Sequence, residues 1–357
     1  MDMKKDTKRI VAAVLVINLM VAMMTGCGKT DSSAGAKGGN DSLTQEETRD
    51  LFAMDTYMTL KAYGKHANEA LDASVKEIER IDEMLSTGKA TSEIAKINKD
   101  GSGNASKETI DLIIRSIKLY KDTDGAFNIS VYPIMKAWGF TTEKYRIPGK
   151  NELQKLLANM DVNKIICNIN AGKVTLEKKG MEIDLGGIAK GYTSDRVMDI
   201  MKKYGVKHAV VSLGGNVQTL NSKPDGSAWK IAVEDPKDKS KYIGALSLRD
   251  QAAITSGGYE RYFKKNGKKY HHIIDPETGY PARKGLSSVT IVSADGTLAD
   301  GLSTSLFIMG KDKAEIYWKE HSQEFDAILV EDDGTIWVTE GLKDSFSSDR
   351  SIKVIYK

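Results

Sequence analysis

Downstream of residue 207 the chain reads as short β-favouring runs punctuated by glycine and asparagine turns, and this pattern constrains the fold more than any other feature. The runs cover residues 208–213, 229–233, 242–248, 252–255, 259–263, 270–274 and 287–292, with an Asn266-Gly267 turn between the fifth and sixth. A last hairpin, 326–338, turns at Asp332-Asp333-Gly334. Helical periodicity lies mostly upstream. Residues 66–85 place Leu71, Val75, Ile78, Ile81 and Leu85 on one face. Ser106 can cap a second helix bearing Ile110, Ile113, Ile114, Ile117 and Tyr120, ended by Asp124-Gly125. Shorter helices are predicted at 151–160, 188–204 and 298–308. Strands are predicted at 51–64 and 183–185, and a hairpin at 165–176 turning at Asn170-Ala171-Gly172. Neighbouring strands with segregated helices specify an α+β fold, mostly antiparallel sheets flanked by helices, rather than a doubly wound sheet. The 357 residues suffice for one two-lobed unit with a substantial core.

The first 50 residues have a different character. Lys4, Lys5, Lys8 and Arg9 precede an apolar run, 10–24, that ends in Met24-Thr25-Gly26-Cys27. A basic segment, a short apolar stretch and small residues before a cysteine make a secretory signal. It resembles a bacterial lipoprotein signal, which implies a lipidated Cys27 as the mature N-terminus, residues 1–27 as signal peptide, and a folded part outside the cytoplasm anchored to the cell membrane. The run is short for a membrane span. Residues 28–49, rich in Ser, Gly, Asn and Lys, read as a flexible tether, and 50–357 as the folded domain. Gly26-Cys27-Gly28-Lys29-Thr30 superficially matches the end of a phosphate-binding loop, but lacks the first glycine, the preceding strand and the following helix.

Charge and cysteine content remove several function classes. A formal net charge of +3, partly in the N-terminal tail, gives no reason to expect nucleic acid as a partner. Cys27 and Cys167 are the only cysteines, so neither a disulfide framework nor a thiolate zinc site is available. Cys167, in an Ile-rich run, reads as a small buried apolar residue.

Chemistry-bearing residues concentrate at turns. Tyr270-His271-His272-Ile273-Ile274 runs into Asp275-Pro276-Glu277-Thr278-Gly279, so a strand delivers His272 and Asp275 to a tight turn. A satisfied strand histidine and a turn aspartate would account for them equally. Three segments pass through paired glycines: Ile183-Asp184-Leu185-Gly186-Gly187-Ile188-Ala189-Lys190-Gly191-Tyr192, Ser212-Leu213-Gly214-Gly215-Asn216 and Thr255-Ser256-Gly257-Gly258. Glycine lets a ligand approach the backbone, and a helix start offers free N–H groups to phosphate. Together the three suggest a large phosphorylated ligand lying along backbone. Asp300, Ser303 and Thr304 offer hard oxygen ligands at one-turn spacing, the chemistry Mg²⁺ prefers. A helix cap with a hydroxyl turn would explain them as well.

With Met54-Asp55-Thr56-Tyr57, Leu85-Ser86-Thr87, Asp124-Gly125-Ala126-Phe127-Asn128-Ile129-Ser130 and Ala299-Asp300-Gly301-Leu302-Ser303-Thr304, these blocks occur in an order similar to that of the ApbE-like FAD:protein FMN transferases. The chain resembles an exported lipoprotein member of that family over about residues 51–310. The resemblance implies that, with Mg²⁺, the FMN moiety of FAD passes to a threonine hydroxyl of an extracytoplasmic or membrane redox protein, and AMP leaves. It implies that Met54, Ala126, Phe127, Asn128, Asp184, Lys190 and Ile274 contact the flavin nucleotide. Gly187, through its carbonyl, with Asp300, Ser303 and Thr304 would form the Mg²⁺ site, and His272, Asp275 and Asp300 the catalytic set. His272 is the candidate for proton transfer. The chain departs from the family pattern at Gly88, where a tyrosine is usual, and at Asn128 and Gly258. The alternatives are an FAD pyrophosphatase, with water replacing threonine, and a lipoprotein that only binds FAD.

Overall fold

A single strand predicted at 51–64 is in fact a hairpin. A computed structural model describes residues 44–357, which belong to one unit, Asp41–Lys357. Strand β1 (Glu46–Ala53) pairs antiparallel with β2 (Thr56–Tyr63) across Met54 and Asp55, whose φ angles are 50° and 57°. A two-residue hairpin needs left-handed backbone at both central positions, normally signalled by Asn or Gly. With Met-Asp in those places, the alternation runs through the turn unmarked.

Among the described residues the central sheet has nine strands. Beyond the first hairpin come β6 (His208–Leu213), β7 (Asn216–Leu220), β10 (Ala252–Gly257), β13 (Leu286–Ser293), β14 (Asp326–Glu331), β15 (Ile336–Thr339) and β17 (Ile352–Ile355), in the spatial order β1-β2-β6-β7-β10-β13-β14-β15-β17. All neighbours are antiparallel except β15 with β17. Two small sheets, β3 (Ser102–Asn104) with β5 (Lys173–Leu176) and β4 (Ile165–Asn168), and β8 (Trp229–Asp235) with β9 (Asp238–Leu248) and β16 (Phe346–Ser347), flank it. A separate ribbon pairs β11 (Tyr262–Lys265) with β12 (Lys268–His271).

Period-2 alternation places the layers. On β10, β13 and β14 one face sends Ile254, Val289, Ile291, Ala327 and Leu329 into the largest apolar cluster, with the helices. The other face sends Ala253, Val292, Ile328 and Val330 against Val233, Ile243, Leu246 and Phe346 of the β8–β9–β16 sheet. Met58, Leu60 and Ala62 of β2 meet Leu71 and Ile78 of helix α1 (Ala67–Leu85) in a further cluster. Each fully buried Leu or Ile contributes about 1.5–3 kcal/mol relative to exposure.

The other helices are α2 (Glu93–Asp100), α3 (Lys107–Asp122), α4 (Tyr132–Trp138), α5 (Lys150–Asn159), α6 (Ala189–Lys203), α7 (Gly296–Met309) and α8 (Lys311–His321). Ser106 caps α3 as predicted, its Oγ accepting from Thr109 N–H. Helix α7 is buried along almost its whole circumference, and Asp295 caps it by accepting from Leu298 N–H. Residues 183–185 are not a strand. Their backbone is engaged sideways, Ile183 N–H donating to Asn98 Oδ1 at 2.7 Å and Asp184 N–H to the Ile129 carbonyl at 2.8 Å. The alternation there reflects burial of Ile183 and Leu185 without a ladder.

The predicted signal peptide, the lipidated Cys27 and most of the tether lie outside the described residues. Strand β1 begins slightly upstream of the predicted domain start. Among the described residues no helix is long and apolar enough to cross a membrane.

Candidate active site

Asp300 lies in the second turn of α7, almost fully buried. Its Oδ2 accepts from Gly191 N–H at 2.8 Å and its Oδ1 from Asn216 Nδ2 at 3.1 Å. The Asn216 Oδ1 in turn faces Lys190 Nζ at 3.5 Å. No cationic side chain among the described residues forms an ion pair with Asp300. Burial raises its pKa, opposed by the charge of Lys190 and by these hydrogen bonds. One turn further on, Ser303 Oγ donates to the Asp300 carbonyl at 2.8 Å. Ser256 Oγ, from the end of β10, bridges Ser303 Oγ at 2.8 Å and Thr304 Oγ1 at 3.2 Å. Carboxylate and hydroxyl oxygens therefore gather along one side of α7.

Glycine makes this approach possible. A Cβ on Gly191 would lie 2.1 Å from the Gly296 carbonyl oxygen and 2.6 Å from Asp300 Cβ, so α6 and α7 meet here backbone to backbone. Gly214, with φ of 62°, turns β6 back into β7 over Thr56 and so delivers Asn216 to Asp300.

Other predicted site residues surround this centre. The Phe127 ring closes against Gly187, where a Cβ would come within 3.3 Å, and against Gly301 at 3.6 Å. Asn128 Oδ1 accepts from Ser130 N–H and Oγ, holding the loop after Ala126 in shape. Asp184 Oδ1 accepts from Gly186 N–H at 2.8 Å; burial raises its pKa, and the Arg261 charge opposes this. Met54 Sδ meets Thr193 Oγ1 at 3.7 Å, which attaches the first hairpin turn to α6 one turn beyond Lys190.

His272 follows β12 and is half-buried beneath the edge of the Phe140 ring. Its Nδ1 faces the Arg261 carbonyl at 3.2 Å. A carbonyl can only accept, so Nδ1 carries the proton and Nε2 keeps its lone pair. Burial pushes the imidazole pKa down to about 3, and the His271, Arg261 and Lys190 charges add to this. The ring is thus neutral in ordinary buffers. Lys190 thereby acts electrostatically on both His272 and Asp300.

Ile274 and Asp275 are held differently. The Ile274 side chain is buried with Ile134, Trp138, Phe140 and Leu153. Asp275 is buried in its own turn, where Oδ1 accepts from Glu277 N–H at 2.9 Å and its carbonyl from Gly279 N–H at 2.8 Å. Asp275 and Ala126 also line a cavity of about 320 Å³ between that turn, the end of α7 and α8. Among the described residues, no cluster of three or more His, Cys, Asp or Glu groups is arranged to hold a metal.

Three polar residues joined the site without a predicted role. Asn216 and Ser256 were legible only as neighbours of glycine turns, and Arg261 carried no signal at all. Its guanidinium donates to the Phe140 carbonyl.

Comparison with known proteins agrees with this architecture. A model of the ApbE family matches residues 54–329. A Klebsiella pneumoniae protein named FAD:protein FMN transferase is 34% identical over 282 residues, covering 78% of this chain and 86% of that protein. A Treponema pallidum protein of the same name is 27% identical over 92% of this chain and 94% of its own. Among solved structures, the ApbE protein of Thermotoga maritima superposes with a TM-score of 0.79 at 33% identity, over 86% of this chain and all of the other. The Vibrio cholerae flavin transferase ApbE gives 0.74 at 25% identity, over 84% and 99%. The chain belongs to the ApbE family.

Proposed function

We propose that this protein transfers the FMN moiety of FAD to a threonine hydroxyl of an acceptor protein, releasing AMP. The observation that carries the reading is a buried carboxylate, Asp300, set beside two hydroxyls and within reach of the Lys190 charge, which also acts on the neutral His272. Relatives of similar length bear the corresponding name.

Asp300 and the Ser303 and Thr304 hydroxyls offer hard oxygens, and a buried carboxylate with no ion-pair partner among the described residues is what a small divalent cation would neutralise. Asp300, Ser303, Thr304 and the Gly187 carbonyl would hold Mg²⁺, which when bound supplies Lewis acidity and charge neutralisation at the pyrophosphate. Lys190 adds positive charge on the same side. Met54, Ala126, Phe127, Asn128 and Asp184 line the flavin-nucleotide path, Ile274 through its backbone, while Asp275 fixes the turn that carries His272.

The transfer is a phosphoryl displacement. The threonine Oγ attacks the flavin-side phosphorus, a new P–O bond forms, and the bridging P–O bond breaks so that AMP leaves with that oxygen. Nε2 of His272 takes the hydroxyl proton. Asp300 would be committed to the cation, which favours His272 over Asp300 as base. Residues 1–27 would export the chain and anchor it through Cys27, so acceptors would be extracytoplasmic or membrane redox proteins.

Incubation with FAD, Mg²⁺ and a threonine-bearing acceptor, with and without chelator, tests the proposal. Mass spectrometry should find FMN on the acceptor and free AMP only without chelator. Free FMN and AMP with no adduct would instead indicate a pyrophosphatase, and intact FAD a binding protein.

A further inference from the structure

The β11–β12 ribbon carries a concentration of charge that the transfer reaction itself does not use. Lys264 pairs across the ribbon with Lys269, and Lys265 with Lys268, around the Asn266-Gly267 turn. All four lysines are exposed, and among the described residues none forms an ion pair. Lysines directly opposite one another repel and weaken a two-stranded ribbon. Partial desolvation of its exposed side chain, with the charges of Lys239 from β9 and of Lys264, lowers the Lys269 pKa, opposed by Asp332. The ribbon keeps its shape through aromatic packing at its base. Phe263 stacks on Tyr145 at 5.0 Å and on Tyr270 at 5.3 Å, and Trp138 lies against Tyr270 at 5.4 Å.

The ribbon leads into the reaction centre. β12 ends at His271, and the next residue is His272, whose N–H donates to the Arg261 carbonyl at 3.0 Å. Alternation puts Lys264 and Lys269 on one face and Lys265 and Lys268 on the other. No single small anion can meet all four, whereas an acidic segment passing over the Asn266-Gly267 turn can reach both faces. From Lys264 to Lys269 no apolar side chain is available to enter a lipid interface, so the ribbon tip lacks the apolar face of an inserted amphipathic element.

Resting on the transferase reading above, we propose that the lysine ribbon docks an acidic segment of the acceptor protein next to its threonine and so guides the hydroxyl toward His272. Opposed charge at such a rim acts mainly on encounter rate and salt dependence. Removing like-charge pairs should not unfold the ribbon, so a variant with Lys264, Lys265, Lys268 and Lys269 all changed to Gln is a fair comparison.

The test measures binding of two synthetic threonine peptides to the purified full-length protein and to this variant by fluorescence anisotropy. One peptide carries an Asp/Glu run beside the threonine, and the other has Asn/Gln there. FAD affinity and FMN transfer are followed in parallel. The expected result is binding of the acidic peptide that weakens with salt and falls on the order of tenfold in the variant, with FAD affinity unchanged and the neutral peptide bound weakly by both. Equal affinity of wild type and variant for the acidic peptide would overturn the inference. So would lysine-dependent capture by phosphatidylglycerol vesicles without discrimination between the peptides, which would assign the ribbon to the membrane. Lysine-dependent peptide binding with no FMN ever transferred would leave the docking inference standing and remove the transferase reading.

Discussion

Asp300 and His272 are opposite cases of one physical fact, that burial favours the neutral form of an ionisable group. For Asp300 it raises the pKa and for His272 it lowers it to about 3, with the neighbouring His271 lowered to about 4. The histidines bear on stability as well as chemistry. Groups whose pKa is depressed on folding bind protons preferentially in the unfolded chain, so the stability linked to them is intact above about pH 6.5 and lost as pH falls toward 4 and 3. The thermal midpoint should therefore drop between pH 6.5 and 4. His271→Asn should flatten that dependence, and an unchanged slope would contradict the assignment. At the site, His272→Ala should slow transfer about 10²-fold or more while leaving FAD affinity intact, read by single-turnover kinetics. Full rate would remove it as the base. Residue chemistry was partly legible in advance. The spacing of Asp300, Ser303 and Thr304 on a helix is local, whereas the Asn216–Asp300 bond joins positions 84 residues apart and no local pattern encodes it.

Helices α6 and α7 touch at Gly191, and that crossing fixes Asp300 relative to the α6 backbone. Gly191→Ala would drive a methyl into the Gly296 carbonyl, and neither backbone can yield without separating the helices. A cost of about 1–3 kcal/mol is expected. It should be read as a lowered thermal midpoint together with loss of transfer; a normal midpoint with normal activity would show that the crossing does not hold the site. At the ribbon base, Trp138 is fully buried and its Nε1 donates to the Gly279 carbonyl at 2.8 Å. Elements were legible where a single periodicity or cap dominates, as in α1 and α3. They were missed where a tertiary partner replaces the local signal. Met54 and Asp55 form a hairpin turn without glycine, and residues 183–185 alternate like a strand but bond to Asn98 and Ile129.

At the scale of the described molecule, one sheet is covered by helices on one face and by the β8–β9–β16 sheet on the other, and the proposed active site lies where the first hairpin, α6, β7, β10 and α7 converge. The α+β class was readable because strands and helices are segregated along the chain. The nine-strand order was not, because β7 and β17 are short and their partners are distant in sequence. The fold is held by apolar clusters that need no metal. Chelation should therefore abolish transfer while leaving the circular dichroism spectrum unchanged, with a midpoint shift no larger than ligand linkage supplies. The central claim is that the Asp300 cluster performs the transfer. Intact-protein mass spectrometry of a threonine acceptor, incubated with FAD, Mg²⁺ and either wild type or Asp300→Asn, addresses it most directly. Wild type should add one FMN to the acceptor as AMP appears, and Asp300→Asn should slow that addition at least about 10²-fold while remaining folded. Transfer by Asp300→Asn at the wild-type rate, or FMN released free by wild type with no adduct, would contradict the account.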